Sequence, residues 1–237
     1  MIIKADSPFR RLPSTLDGRR LRFLDGIRYA IEMADLAHQR LRDTAHQTSV
    51  ARINEQPVRH IFPLIFLDAW SLVDSVNRLR VLLNRMDDQR RTPEVRAFTG
   101  ITARVQEVRD GVQHLDDRID QLASQGQTVW GYVSWVAKVT PGQTWFHSVV
   151  AGAIIPNMTL LETVYPPSRP PQPPVDQINL SAFGVTISIS ETMDSVGRIA
   201  RTLEGHLAKE FGKVPGLLPD AWVSMGADDI GGSVQQG

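Results

Sequence analysis

The sequence predicts an α+β, mainly α fold: a four-helix bundle with a small antiparallel β-sheet inserted between helices three and four. Three observations carry this. Apolar residues recur at spacings of three and four through 15–49, 58–86 and 92–124, the period of one buried helix face. From Val129 the texture changes to aromatic and β-branched residues broken by turn signals. After Ser190 the helical spacing returns. The chain therefore divides into a flexible N-terminal arm at 1–14, a single domain at 15–211 and a flexible tail at 212–237. Within the domain, 15–124 and 190–211 form the bundle and 128–189 the β insertion.

The arm carries Pro8 and Pro13 and no periodicity. The first helix begins near Thr15, buries Leu24, Ile27, Ile31, Ala34, Leu41 and Ala45, and frays between Gln47 and Ser49. His38 lies on that seam, where a hydrogen-bonded core histidine is expected ahead of a ligand. Pro57 marks a break. The second helix runs from Val58 or Pro63 to Met86, and its wide apolar face makes it the most buried of the set. Asp68 sits on that face and wants an arginine or histidine partner, or else water at the rim. Asp74 and Arg78, four apart, form a surface pair.

The third helix is expected to run unbroken from Thr92 to Ser124. Thr92 caps it, Pro93 suits its first turn, and Gly126 stops it. Gly100 and Gly111 interrupt it and cost about 1 kcal/mol each against alanine, so close packing or a site keeps them. Strands follow at Val129–Ala137, Thr144–Ala153 and Met158–Tyr165. A fourth, at Val185–Ile189, is preceded by an extended piece at Ile178–Leu180. Pro166–Pro174 is an extended proline-rich loop. Ser190 caps the last helix, which buries Met193, Val196, Ile199, Ala200, Leu203, Leu207 and Phe211. In the tail, Leu217, Leu218 and Trp222 are candidates to dock back.

Composition is that of a soluble globular protein, with net charge zero and no cysteine. Disulfides, thiolate zinc sites and cysteine nucleophiles are excluded. No signal-peptide core or membrane-length apolar run is present, so a cytoplasmic protein with no membrane partner is expected. Arginine far outnumbers lysine, which suits phosphate recognition but also follows from solvated helix faces. Nucleotide-binding glycine loops, His-Glu-x-x-His and Gly-x-Ser-x-Gly are all absent. No cofactor is implied. His114 with Asp110 and Asp117 offers too few ligands for a metal without a second helix. Trp130, Trp135, Trp145 and Phe146 can stack bases but suit strand packing better, as does His147. Arg59-His60 sits at a helix start.

One run carries chemistry: Arg109-Asp110-Gly111-Val112-Gln113-His114, continuing to Asp117 and Arg118. It resembles the signature of the HEPN superfamily, an arginine, a polar residue, and a histidine four to six residues after the arginine. The spacing recurs at Arg40–His46 and Arg201–His206. Only the Arg109 copy has an acid beside the arginine and lies mid-way along a regular helix. On a continuous helix Asp110 and His114 share a face, so Asp110 can hold the imidazole tautomer. The resemblance implies a helical-bundle homodimer that cleaves RNA without metal, a toxin or defence effector with an antitoxin-like protein as partner. His114 would be general base for the ribose 2′-hydroxyl and Arg109 would stabilise the phosphoryl transition state. Asp110, Gln113 and Asp117 would support them. The alternative is a non-catalytic bundle that binds a nucleotide, a protein or its own copy. A third reading is an interaction protein working through the proline loop and the sheet.

Overall fold

The computed structural model describes residues 1–86, 92–140, 142–152 and 172–212, together with Val214, Gly216 and Asp220. Among them are six α-helices and one four-stranded antiparallel sheet, so the chain is mainly helical with a small sheet. No helix among the described residues is long and apolar enough to cross a membrane.

Helix α1 (Gly18–Ile53) starts at Asp17, whose carboxylate accepts from the Arg19 and Arg20 amides. It runs one turn past the expected fraying point, to Asn54 and the left-handed Glu55. A short 3-10 turn (Arg59–Ile61) leads into α2 (Phe62–Arg85), which folds back along α1. The predicted faces of both helices are buried, including Leu24, Ile27, Ile31, Leu41, Ile65, Leu72, Leu79 and Leu83. Asp68 is buried and its partner is Arg40, at 2.8 Å. Asp74 and Arg78 pair at 2.6 Å, as their spacing predicts.

The unbroken third helix is corrected. The stretch folds as α3 (Pro93–Ile101), α4 (Ala103–Gln113) and α5 (Leu115–Ser124). At Thr102 the side-chain hydroxyl donates to the Phe98 carbonyl, a competing bond that favours bending. At His114 the backbone leaves helical geometry, with φ −111° and ψ 36°. Gly111 draws α4 against the sheet: a Cβ there would stand 2.4 Å from the Phe183 ring. Past the break only Leu122 of α5 is buried and Ile119 faces out. A three-four stripe therefore continues in sequence across a change of direction.

The strands are β1 (Tyr132–Ala137), β2 (Trp145–Val150), β3 (Val175–Ala182) and β4 (Val185–Ser188), in the order β2-β1-β3-β4. The expected first and second strands are each trimmed at both ends or one, and Ile178–Leu180 belongs to a full strand. The expected strand at Met158–Tyr165 and most of the proline-rich loop lie outside the described residues. β3 and β4 join through Phe183-Gly184, both at positive φ, the geometry of a tight two-residue hairpin. Trp135 in the central strand is fully buried, and its indole N–H donates to Ser49 Oγ at 2.9 Å, tying the sheet to α1.

The last helix, α6, spans Ile189–Phe211, so its cap is Ser188 and not Ser190. Ser188 Oγ accepts from the Glu191 amide, in the serine-x-x-glutamate spacing of a capping box. Ser190 Oγ instead accepts from the Ile178 amide at 3.0 Å, fastening the first turn of α6 to β3. The N-terminal segment is also corrected: it is not an arm. Ile3, Phe9 and Leu12 are buried in the common core, where they remove apolar surface from water. The Ile2 amide donates to Asp35 at 2.8 Å, and Ser7 Oγ to Glu204. The candidates Leu217, Leu218 and Trp222 lie outside the described residues. Asp220 is bound to the Arg28 guanidinium at 2.7 Å and accepts from the Tyr29 hydroxyl.

Candidate functional site

Arg109, Asp110 and Gln113 lie on the last turns of α4, facing α2. Arg109 Nη1 donates to Gln113 Oε1, and its guanidinium stands 3.8 Å from both Asp74 of α2 and Asp110. One turn deeper, the buried Arg80 donates to Gln106 at 2.6 Å. Burial lowers the Arg80 pKa from its ordinary value, and the Asp110 carboxylate opposes that shift. These groups form a polar seam between α2 and α4. Its charges are balanced locally: Arg109 has two carboxylates, and Asp74 is shared with Arg78.

His114 stands apart from this seam. Because the helix breaks there, the expected Asp110–His114 side-chain pair does not form, and Asp110 meets His114 through its backbone carbonyl at 3.3 Å. The imidazole is 65% exposed, and Nδ1 faces Asp117 Oδ2 at 4.0 Å. Of the five predicted residues, the fold joins Arg109, Asp110 and Gln113 in one cluster and His114 with Asp117 in another. No group of three or more His, Asp or Glu able to hold a metal exists among the described residues.

Two further histidines have packed settings. His38 Nε2 and His147 Nε2 are buried without hydrogen-bond partners among the described residues. Burial, with Arg42 nearby, pushes His38 down to about 4, and burial with Arg52 lowers His147. The His147 ring stacks on Trp135 with centroids 5.5 Å apart. His38 thus lies partly buried on the α1 seam, but among the described residues its Nε2 lacks the hydrogen bond expected of a core histidine.

A larger feature lies where sequence reasoning looked only for packing. Between α2 and the β1–β2 side of the sheet is a cavity of about 1260 Å³. Phe62, Phe66, Trp70, Trp130 and Tyr132 supply aromatic walls, with Leu67, Val149 and Val150 between them. Ser71 and Ser148 add hydroxyls, and Arg59 is the sole charged lining residue among the described residues. Trp70 meets both Trp130 and Phe183 edge-on, with centroids 6.2 Å apart in each case. Phe183 is the residue wedged against Gly111, so the aromatic wall extends to α4. The available sequence signal was slight: Leu67, half exposed here, falls outside the predicted α2 stripe, while the half-exposed Trp130 read as strand packing. No family model, curated protein or solved structure matches this chain.

Proposed function

We propose that this chain acts by binding rather than by catalysis, and that the α2–sheet cavity is where it binds. The observation that carries the reading is that cavity. It exceeds the roughly 300–1,000 Å³ of ordinary small-molecule sites and is predominantly aromatic and aliphatic with few polar groups. The helices α1, α2, the broken α3–α5 stretch and α6 serve, on this reading, as a four-helix bundle that supports one wall. The separation of Arg109 from His114 argues in the same direction. An arginine flanked by two carboxylates has little free charge for a phosphate.

A second reading has its own observation. His114 is solvent-accessible beside Asp117 at a helix break, and Arg109 is partly accessible, as a phosphodiester would require. In that reading the chain is a cytoplasmic, HEPN-like, metal-independent endoribonuclease. A homodimer would bring two such motifs to one RNA strand, with His114 as base and Arg109 as transition-state cation. The deciding experiment incubates wild type and His114→Ala with structured and single-stranded RNA in EDTA. Binding predicts no cleavage by either protein. Cleavage by wild type that is lost in His114→Ala refutes the binding reading and establishes the nuclease.

A further inference from the structure

We infer that the cavity takes a free, monoanionic amphiphile: an apolar chain or ring body carrying one carboxylate-like head. This rests on the binding reading and adds the class of ligand. Three features of the wall specify it. The lining is aromatic and aliphatic on α2 and on the strands, so the body of the occupant is apolar. The volume of about 1260 Å³ accommodates a long chain rather than a fragment.

The third feature is charge. Among the described residues Arg59 is the one ionised group in the lining; it is exposed and forms no ion pair with any of them. Three other arginines of α1, α2 and α4 are committed: Arg40 to Asp68, Arg78 to Asp74, Arg109 to Asp74 and Asp110. An unpaired guanidinium at an apolar cavity selects an anion, because its planar donors match a carboxylate or phosphate fork. A second negative charge on the ligand would find no second cation among the described lining residues. Trp70 adds a polar handle. Its indole N–H is buried without a hydrogen-bond partner among the described residues, a cost that an acceptor on the occupant would relieve.

The test uses the full chain, tryptophan fluorescence and titration calorimetry, with dodecanoate, dodecanol and dodecylammonium held below their aggregation concentrations. Dodecanoate is expected to bind one to one and to change the emission, with dodecanol weaker and dodecylammonium weakest. Arg59→Gln is expected to weaken dodecanoate about fivefold, the scale of one exposed ion pair, and to leave dodecanol unchanged. Ser71→Trp, a filling change at an exposed lining position, is expected to abolish both; Leu67→Trp is the second filling variant should the first unfold early. Equal binding of acid and alcohol, insensitive to Arg59→Gln, overturns the anionic head while leaving the binding reading standing. Binding of none of the three overturns both. Binding only to vesicles of an anionic phospholipid, with no monomer bound, also overturns the inference and marks a membrane surface instead.

Discussion

Replacing Gly111 by alanine tests the contact that sets α4 against the sheet. A Cβ at this position would lie 2.4, 2.7 and 2.9 Å from three atoms of the Phe183 ring. All three distances are shorter than real carbon contacts, so the ring or the helix must move. The ring has little freedom, because Phe183 occupies a hairpin turn at φ 56° and also packs on Trp70. Overpacking of this kind costs about 1–3 kcal/mol. Alanine returns about 1 kcal/mol of helix propensity, so the net loss is on the order of 1 kcal/mol. Gly100 is the control. It is also helical, yet a Cβ there meets nothing within 4 Å. Gly100→Ala is therefore expected to stabilise by about 0.5–1 kcal/mol. Urea unfolding followed by circular dichroism measures both, and the variants should move the midpoint in opposite directions. Adding Phe183→Ala to Gly111→Ala should make the two changes non-additive by more than about 0.5 kcal/mol. If Gly111→Ala stabilises as much as Gly100→Ala, the close approach of α4 to the β3–β4 turn is wrong.

Other consequences can be measured with the same unfolding assay. Ser49→Ala removes the acceptor of the Trp135 indole N–H inside the core and should destabilise by about 1–3 kcal/mol; a loss below about 0.3 kcal/mol would mean that this bond does not tie sheet to helix. Ser188→Ala should cost about 1 kcal/mol by uncapping α6, and Ser190→Ala should cost at least as much by orphaning the buried Ile178 amide. His38 is held near 4 in the folded chain, below its ordinary 6.5, so the unfolded state takes up a proton first on acidification. Its contribution is fully present above about pH 6.5 and is lost as the pH falls toward 4. His38→Gln should accordingly lose less stability than wild type between pH 7 and pH 5, and parallel losses would place the acid sensitivity elsewhere.

The helices were legible because burial has a period. The stripes on α1, α2 and α6 name side chains that are buried, and Asp68 on an apolar face found the arginine it required. Periodicity is blind, however, to a change of direction that preserves spacing, and α3, α4 and α5 together read as one helix for that reason. The physical markers were present in Thr102, which bonds back to Phe98, and in Gly111, which admits Phe183. The cap of α6 was misplaced by two residues because Ser188 and Ser190 are equally good caps in isolation; the amide of Ile178, distant in sequence, claims Ser190. The N-terminal segment looked unstructured because Ile3, Phe9 and Leu12 follow neither a helical nor a strand period, though each buries fully or nearly so. At the candidate site, the Arg109 cluster with Asp110 and Gln113 follows from helical spacing, while the isolation of His114 follows only from the break. The cavity was invisible because its walls come from α2 and two strands that sequence order keeps far apart.

The wedge of Phe183 gives this small sheet a mechanical role. The ring packs close to helix backbone at Gly111 and also meets Trp70 in the cavity wall. A glycine has no side chain with which to absorb a displacement. Trp70, the Phe183 ring and α4 therefore form one continuous line of contact from the cavity wall to the helix that carries the charged seam.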